Sequence, residues 1–270
     1  MMFWRKKKKN QQGDAAKQEI ESMVPGWNDK AIRLSAYYAE FRDYYPNCEM
    51  QTKKWCVDNI GRDWHCLDIG ANVGIYTSLF CQLCPTGKVW AFEPTETVEM
   101  LRENCREFTN LKVEPLAVGK KSGKRDDRIF RIWGKPPEIK SYPFTSVDDY
   151  VRRQNIGRLD LIKIDVDSFD FDVLQGSEKT LQDFNPWIIV ELNHALAQRN
   201  QNNAEALEWL AKKGYKEALV LEHENFILRR GFEFSQITSI CLKFPQVEKN
   251  GPITMTPSSV PHSEFKSYKT

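Results

Sequence analysis

Four acids in this 270-residue chain stand where acids are costly, at the ends of short apolar runs. Asp68 lies near the end of Trp64–Ile69, Glu93 follows Val89–Phe92, Asp165 follows Leu161–Ile164, and Glu191 follows Trp187–Val190. Asn193 and His194 come just after the last of these. A carboxylate withdrawn from water is unfavourable unless it is paired or liganded, so four acids at strand ends are hard to explain as packing.

Asp68 precedes a small-residue turn, Gly70-Ala71-Asn72-Val73-Gly74, and an apolar-periodic helix (Ile75, Leu79, Phe80, Leu83) begins at once. Strand, tight turn and helix make the first half of a nucleotide-binding unit, in which glycines let the backbone approach a ligand. A dinucleotide site asks for G-x-G-x-x-G. Here the spacing is Gly70-x-Asn72-x-Gly74, behind an acid that repels a pyrophosphate and suits the ammonium of an amino acid. That points to S-adenosylmethionine rather than to NAD. Glu93, about 20 residues beyond the loop, is spaced to bind both ribose hydroxyls of an adenosine cofactor. Candidate cofactor-binding residues are Asp68, Gly70, Ala71, Asn72, Gly74, Tyr76, Glu93, Pro94, Ala117 and Asp165. Ala117-Val118-Gly119 either lines an adenine slot or is a plain connection. The bland reading of the whole loop, a structural turn that binds nothing, is weakened by the second acid at the matching place.

Methyl transfer from a sulfonium is an in-line displacement, and holding the reactants together supplies much of the acceleration. A hydroxyl acceptor must also lose its proton. The candidate catalytic residues are Asp165, Glu191 and His194, with His194 favoured as base because imidazole titrates near neutral pH. An ordinary exposed loop histidine is the competing reading. A metal is the alternative: Asp165, Glu191 and Asn193 offer three hard oxygen donors that would suit Mg2+.

Positioning these groups falls to alternating strands and helices. Strands are expected at 64–69, 87–93, 111–118, 159–167 and 186–192, and helices at 49–60, 97–108, 169–181 and 204–213. A short helix capped by Thr145 or Ser146 and a hairpin of 215–221 with 226–228 complete the set, and 231–244 adds an edge strand. Residues 120–140 read as a surface excursion with a strand at 128–133. The alternation implies an α/β fold with a mostly parallel sheet, helices on both faces, and ligands outside the carboxyl ends of the strands. We divide the chain into a basic disordered tail (1–24), an aromatic-rich helical cap (25–60), the main domain (61–244) and a mobile Pro/Ser-rich tail (245–270).

Composition narrows the class. At 41% hydrophobic and 28% charged the chain is ordinary for a soluble globular protein, and no run approaches the ~18 apolar residues of a membrane span. Removing the five charges of Arg5–Lys9 from the net +2 leaves −3, a mildly acidic body and a poor footprint for nucleic acid. Seven irregularly spaced cysteines fit reduced thiols and a cytoplasmic setting. Cys81-x-x-Cys84 falls on the helix after the loop and reads as two buried small side chains rather than half a metal site.

Taken in order, Leu67-Asp68-Ile69-Gly70-Ala71-Asn72-Val73-Gly74, Ala91-Phe92-Glu93-Pro94, Leu116-Ala117-Val118-Gly119, Thr145-Ser146-Val147-Asp148-Asp149 and Asp160-Leu161-Ile162-Lys163-Ile164-Asp165-Val166 resemble the FkbM-like S-adenosylmethionine-dependent methyltransferases over roughly residues 60–230. The resemblance implies a Rossmann-like class I methyltransferase fold with a seven-stranded sheet and a terminal antiparallel hairpin. It implies O-methylation of a hydroxyl on a sugar or other small-molecule or glycan acceptor. By matching position, Asp68 and Gly70 would face the methionine part, Glu93 the ribose, and Asp165 the reacting methyl group. The family usually reads Asp-Val-Glu-Gly after the fourth strand, whereas this chain has Asp165-Val166-Asp167-Ser168, with a further acid at Asp170. Two rival readings follow: a catalytically silent module that binds an adenosyl ligand, and an NAD-linked oxidoreductase.

Overall fold

A computed structural model describes residues 14–27, 47–129, 138–234 and 241–243. The expectations for the Arg5–Lys9 run, for most of the aromatic-rich cap and for the 245–270 tail lie outside the described residues.

Eleven strands are described: β1 His65–Ile69, β2 Lys88–Phe92, β3 Leu111–Glu114, β4 Ala117–Val118, β5 Gly123–Arg128, β6 Ile139–Thr145, β7 Leu161–Ile164, β8 Trp187–Glu191, β9 Glu217–Val220, β10 Asn225–Leu228 and β11 Cys241–Lys243. The main sheet runs β11-β9-β10-β8-β7-β1-β2-β3. Its five strands β8-β7-β1-β2-β3 are parallel, and β10 lies antiparallel between β8 and β9. This is the seven-stranded, mostly parallel sheet with a terminal hairpin, and β11 adds an antiparallel eighth strand at the edge. The order reverses between β1 and β7, so the crevice for a ligand opens above those two strands.

Alternation along each strand builds two cores. Leu67 and Ile69 of β1, with Ile162 and Ile164 of β7, pack on one face with the helices Val147–Arg153, Asp170–Gln175 and Asn203–Lys212. Cys66 and Leu161 point to the other face, against the helices Met50–Asn59 and Ile75–Leu83 and the helix at 14–23. Cys81 and Cys84 are buried in this second core, with the Cys84 thiol donating to the Phe80 carbonyl at 2.9 Å. They serve as small apolar side chains.

Four elements depart from expectation. Residues 14–24, expected within the disordered tail, carry the helix at 14–23, whose Ala16 and Ile20 are buried in the second core. The expected strand 111–118 is two strands: Pro115 has no N–H for a ladder, and β4 crosses into a second sheet, β4-β6-β5. The excursion's described strand is Gly123–Arg128, paired antiparallel with β6, and 130–137 lies outside the described residues. The expected helix 169–181 breaks at Gly176-Ser177, where the Gly176 carbonyl accepts from the Asp148 N–H at 3.0 Å. The cap of the Val147–Arg153 helix is Ser146, whose Oγ accepts from the Asp149 N–H at 3.1 Å.

The turn after β1 fixes how tightly the sheet closes. Gly70 has φ +86°, and a Cβ there would overlap the Asp165 carbonyl oxygen just beyond β7. Gly74, at φ +96°, would bring a Cβ within 2.8 Å of Leu101 Cδ1 and 2.9 Å of Cys105 Sγ on and after the next helix. Gly70→Ala should lower the unfolding free energy in urea by about 3 kcal/mol or more, because backbone rather than a side-chain tip must move. A loss below about 1 kcal/mol would mean that β1 and β7 separate easily at this point.

Candidate functional site

A cavity of about 670 Å3 opens at the carboxyl ends of β1, β2, β7 and β8. Asp68, Gly70, Ala71, Asn72, Tyr76, Glu93, Pro94, Ala117, Asp165, Glu191, Asn193 and His194 all line it. Of the residues expected at the site, Gly74 alone does not; its requirement is helix packing.

Asp68 is fully buried, and its Oδ2 accepts from Thr77 Oγ1 at 2.5 Å. Its Oδ1 is buried with no protein partner. Burial pushes its carboxyl up, against the pull of Lys163 and Thr77. Glu93 is held from both sides: Oε2 accepts from the Asn72 N–H at 3.1 Å, and Oε1 from the Thr95 N–H at 2.9 Å and hydroxyl at 2.6 Å. Asn72 takes φ +49°, a left-handed geometry asparagine tolerates, and that aims its N–H at Glu93. The N–H groups of Gly70 and Ala71 both donate to the Phe92 carbonyl, at 3.1 and 2.9 Å. They are therefore spent on β2 and do not cradle a pyrophosphate, which removes the physical basis for the NAD-linked reading.

Lys163 sits among these acids. It is 2% exposed, its ammonium lies 4.4 Å from the Tyr76 ring centroid, and it donates to Asp165 Oδ2 at 2.8 Å. Burial disfavours its charge, but Asp165, Asp68 and Glu49 outweigh that and raise its pKa. Burial also works against the Asp165 charge, and Lys163 overcomes it, so Asp165 is held below the usual carboxylate range. Glu191 goes the other way: burial and the neighbouring Asp165 charge push it up to about 10. Of the two, Asp165 is the partner that keeps its charge and Glu191 the one that holds its proton more tightly.

These states sort the candidate catalytic residues. Glu191, raised by burial and by Asp165, favours its protonated form and is the poorer proton acceptor, and Asp165 is a weak base because Lys163 stabilises its anion. His194 opens a 3-10 turn, His194–Arg199, and is exposed at the cavity wall. The magnesium arrangement does not fit. Asn193 Oδ1 accepts from the Ala195 N–H at 2.7 Å, and the Asn193 amide donates to Glu191 Oε1 at 2.7 Å. With Lys163 on Asp165 and Asn193 Oδ1 turned to the backbone, the three hard oxygens are not assembled, and no cluster of three His, Cys, Asp or Glu fit for a metal occurs among the described residues.

The Asp167-Ser168 departure keeps the geometry a glycine would take. Asp167 has φ +44° and Ser168 φ +92°, an unfavourable region for serine. The Ser168 hydroxyl accepts from Arg199 Nε at 3.1 Å, and Arg199 stacks on Phe169 and donates to Asp127 Oδ1 at 3.1 Å. The serine thereby ties this turn to the far end of the His194 turn. Asp167 itself lines the cavity, pushed up to about 6 by burial and by Asp165.

Sequence reasoning missed Cys48, Glu49, Lys53, Lys163 and His223 as cavity residues. Lys163 carried a signal, a charge inside a buried apolar strand. The other four reach the cavity through long-range contacts that local pattern does not show.

The Glu191 state can be tested by its pH dependence. A carboxyl whose folded pKa is raised contributes stability below its unfolded pKa and loses it as pH rises toward the folded value. Glu191→Gln fixes the neutral form. Relative to wild type, the variant should gain stability between about pH 5 and 9, at no more than about 1.4 kcal/mol per pH unit. Parallel stability curves for the two proteins would show Glu191 ionised throughout.

Residues 68–217 match the methyltransferase FkbM domain family. No curated protein matches the sequence. Among solved structures, the methyltransferase FkbM of Methylobacillus flagellatus KT is 12% identical, with 81% of this chain and 58% of that chain covered and a TM-score of 0.49. The chain thus spans well under two thirds of that protein's length. A presumed caffeoyl-CoA O-methyltransferase of Staphylococcus aureus is 14% identical over 74% of this chain and 92% of its own, at a TM-score of 0.50, which is a likeness of fold. Aeropyrum pernix fibrillarin, solved with natively bound S-adenosyl-L-methionine, is 11% identical over 63% of this chain and 66% of its own, with a TM-score of 0.39. The family match spans more than half of the sequence and the fold agrees with it: this chain belongs to the methyltransferase FkbM domain family.

Proposed function

We propose that this chain transfers the methyl group of S-adenosylmethionine to a hydroxyl oxygen of a sugar or other small-molecule or glycan acceptor. The observation that carries the cofactor assignment is Asp68: a buried carboxylate oxygen without a protein partner, lining the cavity, calls for a cationic or hydroxyl-bearing ligand. In this reading Asp68 takes the cofactor's ammonium and Glu93 the ribose hydroxyls. Bound there, the cofactor supplies an electrophilic methyl group.

The protein's own part is orientation, charge and proton removal. Lys163 and Glu191 hold Asp165 as a fixed anion facing the cavity, which favours positive charge there. His194, exposed on the cavity wall, accepts the proton of the hydroxyl. Six carboxyl groups line the cavity (Glu49, Asp68, Glu93, Asp165, Asp167 and Glu191) against two lysines. That balance disfavours phosphate-bearing acceptors and supports a small-molecule or carbohydrate partner over nucleic acid. We place the protein in the cytoplasm, in keeping with six described cysteines that are thiols rather than disulfides. No described helix is long and apolar enough to cross a membrane.

Thermal unfolding with S-adenosylhomocysteine, with NADH as control, tests the cofactor assignment. A ligand at about 100 times its dissociation constant adds about 2.7 kcal/mol, a clear upward shift. Stabilisation by S-adenosylhomocysteine alone is expected, together with its loss in a Glu93→Ala variant that still folds, each protein being compared with its own ligand-free melting. Equal stabilisation of wild type and variant would sink the ribose assignment. Incubation with methyl-labelled cofactor and a panel of hydroxyl acceptors then separates an enzyme from a silent module. His194→Gln should slow transfer by about 10²–10⁴ without altering S-adenosylhomocysteine affinity. A variant as active as wild type would remove His194 from the chemistry.

A further inference from the structure

Two segments outside the 68–217 family match also meet at the cavity. Cys48, Glu49 and Lys53 come from the N-terminal side, and His223 from the turn between β9 and β10. They are joined by hydrogen bonds across 170 positions or more. Glu222 Oε1 accepts from the Gln51 N–H at 2.7 Å, and Oε2 from the Thr52 hydroxyl at 3.4 Å. Asn225 Nδ2 donates to Glu49 Oε1 at 2.7 Å and to the Glu222 carbonyl at 2.9 Å.

We propose that Glu222 and Asn225 are positioning residues for the ligand cavity: they clamp the 48–53 segment so that Cys48, Glu49 and Lys53 form a wall that retains the bound cofactor. The proposal rests on the cofactor reading above.

Three observations support it. The clamp is partly withdrawn from water: Glu49, Gln51 and Glu222 are half-buried, while Asn225 is 1% and Thr52 0% exposed, so loss of its partners leaves the Asn225 amide buried and unsatisfied. The helix Met50–Asn59 has no side-chain cap of its own, and Glu222 supplies the missing acceptor at its first turn. A ten-residue helix is marginal without such support. Finally, the backbone is strained on both sides of the joint: Glu49 has φ +51°, His223 φ +58° and Glu224 φ +57°. Left-handed geometry in such residues persists only where the surroundings over-determine it. Here the Leu192 N–H donates to the Glu224 carbonyl at 3.1 Å and the Leu221 N–H to the Asn225 carbonyl at 2.9 Å. The wall also reaches the inner charges, since Glu49 acts on both Lys163 and Tyr76.

The test is the release of S-adenosylhomocysteine from the full chain, followed by stopped-flow fluorescence after dilution or chase. Asn225→Ala and Glu222→Ala should each release it at least about ten-fold faster than wild type, equivalent to 1.4 kcal/mol. Glu222→Gln keeps an oxygen for the Gln51 N–H and should stay within about three-fold of wild type. That rescue is what a general loss of stability would not give. Melting of each ligand-free variant is recorded alongside, and if Asn225→Ala does not fold, the Glu222 pair still decides. Wild-type release rates in both folded alanine variants, or a glutamine variant as fast as the alanine one, would overturn the wall. Failure of wild type to bind S-adenosylhomocysteine at all would overturn the cofactor reading, and the wall with it.

Discussion

One buried ammonium organises this molecule. Lys163 lies in the middle of the sheet, with Asp68 as its register partner on β1 and Asp165 two residues on. A lysine at this depth is tolerable only because carboxylates surround it, and those carboxylates are tolerable only because the lysine is there. The arrangement is asymmetric in a useful way. The charge on Lys163 lowers the pKa of Asp165, burial and the Asp165 anion raise that of Glu191, and Asp68 is left with one oxygen still unpartnered. A sheet edge lined by acids thereby becomes a set of groups in different protonation states.

Around that centre the backbone is held where side chains would not choose to be. Gly70 brings β1 against the Asp165 carbonyl, closer than any Cβ allows. Asn72, Asp167, His223 and Glu49 carry left-handed backbone, and all four line the cavity. Strain concentrated at a cavity indicates rigidity maintained by the rest of the fold. Ser168 shows the compromise at one residue: it accepts a geometry suited to glycine and makes a hydrogen bond to Arg199 that glycine could not.

The parallel sheet and the convergence of acids on one edge were legible because each strand is a short apolar run ending in a carboxylate. The loop glycines were legible as a pattern but less so as a cause. Gly74 was expected near the ligand and instead makes room for Leu101 and Cys105, a requirement set by a helix some 30 residues on. Pro115 was a readable stop signal that the apolar run 111–118 obscured. Glu191 was read as a base or metal ligand, since ionisation depends on what lies beside a group, and the neighbour responsible, Asp165, is 26 positions away. The contacts of Glu49 and Gln51 with residues 222–225 had no local signature at all, because nothing in either segment's periodicity names its partner.

That last joint has a consequence for the order of assembly. Strands β1, β2, β3 and β7 can pair once the chain has reached residue 164, and the glycine turn, Asp68 and Glu93 are then in place. The side of the cavity formed by residues 48–53 is different: it is emitted from the ribosome early, yet its fastening points are at 222 and 225. For most of synthesis the segment has no docking partner. Contacts of such long sequence separation form late because closing the intervening loop costs entropy before any contact repays it. The nascent protein therefore holds a recognisable cavity floor well before it has a complete enclosure.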